Sequence, residues 1–262
     1  METHYSIVAW NQLIIMFNDM TLILCIDKDH INELQYAWKT WKYFKPEITT
    51  IPNKILLYDT TIKNQLGDLK FIDSTYSLYE FKNRSYYFSQ RDAMLTSWFE
   101  AARQVKTKFY LKIDTDCFAT NNDSGWINAI SDRDNFRIIS NPWGYTKNPQ
   151  RLINLDNWGD AVDYINNTPR LNLLPAEGSN KVIHSRIISF LGIFDTDWTH
   201  KISESCWKND HYELPDPSQD TFTWYCAQRR QDPIKKVRFK KFGFSHTRLK
   251  KIKEQLISIN II

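Results

Sequence analysis

The chain predicts an α/β fold, a mostly parallel sheet flanked by helices, and three observations carry that prediction. Short β-rich runs at 21–27, 54–59 and 109–118 each end in, or run into, aspartate. The stretches between them place apolar residues at helical spacing. Strands that alternate with helices pair in parallel through right-handed crossovers, and such sheets bind ligands outside the carboxyl ends of their strands. Asp27, Asp59 and Asp114 all fall at those ends.

The elements follow in order. An apolar stretch at 7–26 is interrupted by Asn11, Gln12, Asn18 and Asp19 and has no basic flank before it, so it reads as a short helix and then a strand, not a membrane anchor. The helix at 31–44 has Leu34, Ala37, Trp38 and Trp41 on one face. A second helix spans about 89–105: Ser89 and Asp92 suit a capping box, and Met94, Leu95, Trp98, Ala102 and Val105 form its apolar side. The strand at 109–118 follows at once. From 121 to about 181 the chain is rich in Asn, Asp, Pro and Trp and loop-like, with a strand at 136–140 and a helix at 160–166. Further strand material at 181–194, a helix at 221–231 after Pro215 and Pro217, and an alternating final strand at 237–244 complete the reading. No internal repeat, low-complexity run or linker divides the chain, so 1–262 reads as one domain.

Composition limits the class. With 262 residues, 42% apolar and 24% charged, the chain suits a globular protein with a sizeable core. The four cysteines show no metal-type spacing, and Cys25 and Cys117 fall in or beside predicted core strands, which points to a reducing, cytoplasmic setting. The net charge of +4 is small, but the cations crowd into 235–253, which suggests a phosphate-bearing partner.

Asp114 and Asp116 are the most informative pair. Alternate strand residues share a face, so an extended backbone would set the two about 7 Å apart along the strand. At an effective dielectric of about 20, two such charges repel by roughly 2 kcal/mol, so a cation belongs beside them. That cation is either a divalent metal or Lys112, which lies on the same face.

A capped amphipathic helix, a strand running from FYLKI into Asp114-Thr115-Asp116, and an irregular Trp-rich region beyond resemble the GT-A glycosyltransferases, with family 2-like members the nearest in pattern. The resemblance implies a GT-A, Rossmann-like sheet, with residues 20–119 binding the nucleotide-sugar and 120–262 carrying acceptor and catalytic functions. It implies Mn²⁺ or Mg²⁺ bridging the diphosphate of a donor, a UDP-sugar foremost. Asp116 would be a direct metal ligand, with Asp114 on the metal, on a metal-bound water or on the ribose. Asp27 and Asp59 would receive base or ribose donors, and Arg91 would reach a phosphate or Asp114. His246, at the end of the last core strand, would be a further metal ligand, with Arg248, Lys250 and Lys251 closing on the diphosphate. Asp220 stands where inverting members place the base that deprotonates the acceptor, with Asp216 as the fallback; an acid there also suits a helix N-terminus without catalysis. Trp143, Trp158, Trp198 and Trp207 are candidates to stack on an acceptor, though large aromatics mostly pack.

The acceptor implied is a glycan or lipid-linked sugar, or, given the basic C-terminal segment, hydroxymethylated pyrimidines in DNA. Nucleotidyltransferases also hold Mg²⁺ at parallel strand ends, but they carry a glycine-rich loop after the first strand, and DKDHINELQ has no glycine. A non-catalytic nucleotide-binding domain is the remaining class.

Overall fold

The structure is a computed structural model and describes residues 16–81, 90–142, 173–175, 182–184, 187–205, 223, 226–227, 230 and 232–258. A helical turn at 16–18 leads into β1 (Met20–Ile26). Helix α1 (Ile31–Phe44), a single turn at Pro46–Thr49, β2 (Asn53–Asp59), a 3-10 helix (Thr60–Asp68) and β3 (Tyr76–Phe81) follow. Then come α2 (Gln90–Arg103), β4 (Phe109–Ile113), β5 (Cys117–Ala119), α3 (Gly125–Ile130) and β6 (Ile138–Pro142). The remainder contributes β7 (Leu173–Pro175), β8 (Val182–His184), β9 (Ile187–Asp195), α4 (Thr196–Ser205), β10 (Ile234–Lys236), β11 (Phe244–His246) and α5 (Leu249–Ser258).

Among the described residues, seven strands form the central sheet in the order β10-β6-β9-β4-β1-β2-β3. All neighbouring pairs are parallel except those of β9, which runs antiparallel to both β4 and β6. The sheet is therefore mostly parallel, as expected. Strand order reverses at β1: the chain moves outward to β2 and β3, then returns to lay β4 on the other side. In sheets of this kind ligands bind at such a reversal, beyond the carboxyl ends of the strands, here β1 and β4.

Each face of the sheet has its own core. Leu22, Leu24, Ile26, Leu56, Leu111 and Ile113 pack with Leu34, Ala37 and Trp41 of α1, Trp126 of α3, and Ile252 and Leu256 of α5. The alternate residues Ile23, Ile55, Leu57 and Tyr110 pack with Trp98, Phe99 and Ala102 of α2 and Trp198 and Ile202 of α4. Strands covered on both sides need continuous apolar runs, which is why MTLILCI is buried almost throughout.

Several expectations are corrected. The run at 109–118 is not one extended strand, because the Cys117 amide donates to the Asp114 carbonyl at 3.0 Å and closes a turn between β4 and β5. The run at 237–244 is not a strand either. Phe239–Phe242 winds into a 3-10 turn that ends at Gly243, φ 82°, and only then does β11 begin. The material at 181–194 divides into β8, paired with β7, and β9 in the main sheet. The helix expected at 160–166 lies outside the described residues, and of 221–231 residues 223, 226, 227 and 230 are helical. Among the described residues, no helix is long and apolar enough to cross a membrane.

Candidate functional site

The carboxyl end of β4 gathers side chains from distant parts of the chain. The turn after β4 does the first part of the work. It replaces the extended spacing of Asp114 and Asp116 by a bend, while the Asp114 amide is fastened to the Phe190 carbonyl of β9 at 2.8 Å. The second part comes from β11, which pairs antiparallel with β5 so that His246 stands opposite Cys117. The Thr247 amide extends the pairing to the Asp116 carbonyl at 3.2 Å. In consequence His246 Nε2 lies 3.1 Å from Asp116 Oδ1 and 3.7 Å from Asp114 Oδ2. Phe190 stacks on the imidazole, centroids 5.1 Å apart and planes 4° from parallel, which fixes the ring's orientation.

Electrostatics follow from this packing. Burial alone would raise the Asp116 carboxyl, but the hydrogen bond and positive charge of His246 outweigh it and hold Asp116 below the ordinary carboxylate value. Burial likewise pushes His246 down, and the Asp116 hydrogen bond with both carboxylate charges pushes it up by more. A proton on His246 thus occupies a place suited to a cation.

Lys112 enters from β4. Its ammonium, with the side chain only 8% exposed, pairs with Asp114 Oδ1. Lys112 thus takes one oxygen of Asp114, while the other oxygen and Asp116 face His246.

Asp27, one residue beyond β1, accepts from the Asp29 amide at 3.0 Å and from His30 Nδ1 at 2.6 Å. That hydrogen bond raises the His30 pKa, burial opposes it, and the charges of Asp27 and Asp116 add to the rise. His30 therefore belongs to the same neighbourhood, and sequence reasoning missed it. Its signal was the Asp27-to-His30 spacing of three residues at the start of α1.

Asp59 has a local role in the structure. Buried at the end of β2, it accepts from the Thr61 amide at 2.8 Å and caps the 3-10 helix. Arg248 and Lys250 follow β11 directly and are exposed. The Arg91 side chain lies outside the described part of α2, and Asp220 and Asp216 lie outside the described residues, as do Trp143, Trp158 and Trp207. Trp198 is a packing residue: it is buried, and its Nε1 donates to Asp232 Oδ2 at 2.6 Å.

One ligand atom each from Asp114, Asp116 and His246 can be chosen so that all three lie within 4.8 Å of one another. Bonds of about 2.1 Å to an octahedral ion place neighbouring ligands about 3.0 Å apart and opposite ones about 4.2 Å apart. The separations of 3.1 and 3.7 Å fall in that interval. Two carboxylates and an imidazole suit a divalent ion of the Mn²⁺ or Mg²⁺ type, the nitrogen favouring Mn²⁺.

No protein-family model matches the sequence, and no curated protein sequence matches it. Solved structures do match in shape. The galactosyltransferase LgtC, in complex with donor and acceptor sugar analogues, superposes with a TM-score of 0.54 at 8% identity, covering 83% of this chain and 73% of that one. The 4-diphosphocytidyl-2C-methyl-D-erythritol synthase of Anaerococcus prevotii superposes with a TM-score of 0.51 at 12% identity, covering 86% of this chain and 88% of that one. At such identities the likeness is one of fold, and that fold is the mixed α/β architecture of the GT-A glycosyltransferases, with its mostly parallel seven-stranded sheet.

Proposed function

We propose that this protein is a divalent-metal-dependent glycosyltransferase that moves a sugar from a nucleoside diphosphate sugar to an acceptor hydroxyl. The observation that carries the reading is the convergence of Asp114, Asp116 and His246 beyond the β1 and β4 strand ends. Asp116 and His246 would hold the ion, with Asp114 as a further carboxylate within reach. Bound there, Mn²⁺ or Mg²⁺ would neutralise the charge that grows on the departing diphosphate.

The chain's own residues do the rest. Asp27 and His30 stand beside the carboxylates where the nucleoside of a UDP-sugar or a related donor would lie. Exposed Arg248 and Lys250, leaving β11 next to His246, supply positive charge to the diphosphate. Asp220 takes the proton of the acceptor hydroxyl, and displacement from the opposite face inverts the sugar carbon. We place all of this in one domain spanning 1–262, with a glycan or lipid-linked sugar as acceptor.

The fold is shared by a 4-diphosphocytidyl-2C-methyl-D-erythritol synthase, yet β1 passes into α1 through Asp27-Lys28-Asp29-His30, with no glycine to wrap the triphosphate that a nucleotidyltransferase would bind, so sugar transfer is favoured. A second acceptor, hydroxymethylated DNA, draws support from one feature. Arg238, Lys240, Lys241, Arg248, Lys250, Lys251 and Lys253 are all exposed, more cations than a donor diphosphate requires. Salt-sensitive retardation of duplex DNA, lost on reversing Lys240 and Lys241, distinguishes it.

The test of the main reading is thermal stabilisation by UDP-, GDP-, CMP- and dTDP-sugars, each with Mn²⁺ or with EDTA. At least one donor stabilises the protein in a metal-dependent way. If none does, the reading fails.

A further inference from the structure

Lys112 occupies an unusual place for a lysine. In the alternation of β4 it shares the face of Tyr110, which is covered by α2 and α4, and it is 6% exposed. Its parallel neighbour is Ile23 of β1, and its antiparallel neighbour is Gly192 of β9. Gly192 leaves the cross-strand position beside Lys112 without a side chain. A Cβ there would come within 2.8 Å of the Phe194 ring, so no larger residue fits without movement. The strand thus carries a cation through an apolar layer, where an ammonium is retained only if it is paired.

One of its partners is Asp114 Oδ1. Asp114 is left with Oδ2 facing the site, at 3.7 Å from His246 Nε2. One of the two carboxylates is neutralised from beneath. With His246 neutral, Asp114, Asp116 and Lys112 together present a net charge of about −1, where the carboxylates alone would present about −2.

We propose that Lys112 is a positioning residue that keeps the metal site weak until the donor arrives. It holds Asp114 turned, with one oxygen engaged and its charge cancelled, so the free protein attracts a divalent ion poorly. The diphosphate of the donor brings the missing negative charge and oxygen ligands, and the ion and the nucleotide bind as a unit. This inference rests on the metal-dependent reading of the site and adds to it an order of binding.

The experiment is a calorimetric titration of Mn²⁺ into the full chain, alone and with saturating UDP, GDP, CDP or dTDP, for wild type, Lys112→Met, Lys112→Gln and Lys112→Arg. Removing the ammonium frees Asp114, so K112M and K112Q bind Mn²⁺ without nucleotide at least about tenfold more tightly than wild type. The gain from adding nucleotide shrinks accordingly, while K112R, which keeps the charge, stays near wild type. A purely structural lysine would lower affinity in all three variants, and that result overturns the proposal. Unchanged Mn²⁺ affinity in a folded K112M or K112Q also overturns it. If wild type binds no Mn²⁺ with any of the four nucleotides, the metal-dependent reading fails and this inference falls with it. If wild type binds Mn²⁺ with nucleotide and the variants do not tighten, only the role of Lys112 is lost.

Discussion

His246 Nε2 and Asp116 Oδ1 lie 3.1 Å apart although they come from opposite halves of the chain, and the pairing of β11 with β5 is what joins them. The contact yields the first prediction. Asp116→Asn or His246→Ala lowers Mn²⁺ affinity in the presence of nucleotide by at least about a hundredfold, since each removes a ligand and not a supporting group. Mn²⁺ titration measures the change, and wild-type affinity in Asp116→Asn would show that the ion, if bound, sits elsewhere.

Gly243 controls the entry to β11. Its φ of 82° lies in the left-handed region, and a Cβ there would stand 2.2 Å from Asn121 Oδ1. Gly243→Ala therefore costs at least about 1–2 kcal/mol for the backbone alone, before Asn121 moves. Because His246 lies three residues on, the variant also loses metal affinity. Chemical denaturation checks the first effect, and metal titration at a temperature where the variant is folded checks the second.

Thr40 ties α1 to the short strand that receives β11. Its hydroxyl donates to the Ala37 carbonyl at 2.7 Å and accepts from the buried Ala119 amide at 3.0 Å, beside Trp41 Nε1, which donates to the Cys117 carbonyl at 2.8 Å. Thr40→Val keeps the shape and strands the Ala119 amide, a loss of about 1–3 kcal/mol. Thr40→Ser, which keeps the acceptor, recovers most of it. Equal stability of the Val and Ser variants in urea would contradict this account.

Lys45 gives stability a pH dependence on the alkaline side. It is fully buried at the end of α1, donates to the Asp123 carbonyl and lies 5.3 Å from the centre of the Phe244 ring. Burial lowers its pKa from 10.5 to about 8, against the opposing charges of Glu47 and Asp123. Between those two values the unfolded chain holds a proton that the folded chain has released, so the contribution of Lys45 to stability rises with pH across that window. In Lys45→Met this rise is absent, which denaturation curves at pH 7.5 to 10 would read out, taken at steps of about half a pH unit.

His30 acts with the opposite sign. Its hydrogen bond to Asp27 raises its pKa above 6.5. The stabilisation is complete below the unfolded value and is lost as pH climbs through the raised folded value. Nuclear magnetic resonance titration of the His30 ring gives the folded pKa directly, and Asp27→Asn returns it towards 6.5. No change in that variant would mean that Asp27 does not hold the ring in solution.

Much of the frame was legible locally. The apolar spacing of Leu34, Ala37 and Trp41 marks α1, whose expected bounds coincide with Ile31–Phe44, and the run TLILCID marks β1 to within one residue at each end. Both signals depend on neighbours a few positions apart. The stretch around Phe239 misled because its apolar residues suit period two as well as a tight turn, and the choice was made by Phe239 and Phe244 entering the core on either side of Gly243.

By itself, then, the sequence determined the class of fold and the chemistry available at the strand ends, because strand and helix periodicity and the Asp114-Thr115-Asp116 triplet are properties of contiguous residues. Only the tertiary structure decided how that chemistry is shared. It bent the triplet into a turn, engaged Asp59 as a cap, drew His30 to Asp27, turned Lys112 onto Asp114 and left Asp116 to His246. The turn, the cap and the Asp27–His30 and Lys112–Asp114 pairs join near neighbours in the sequence, whereas the meeting of Asp116 with His246 depends on which strands lie side by side, and pairing between segments far apart in the chain is set by burial of the whole sheet, not by the residues that meet.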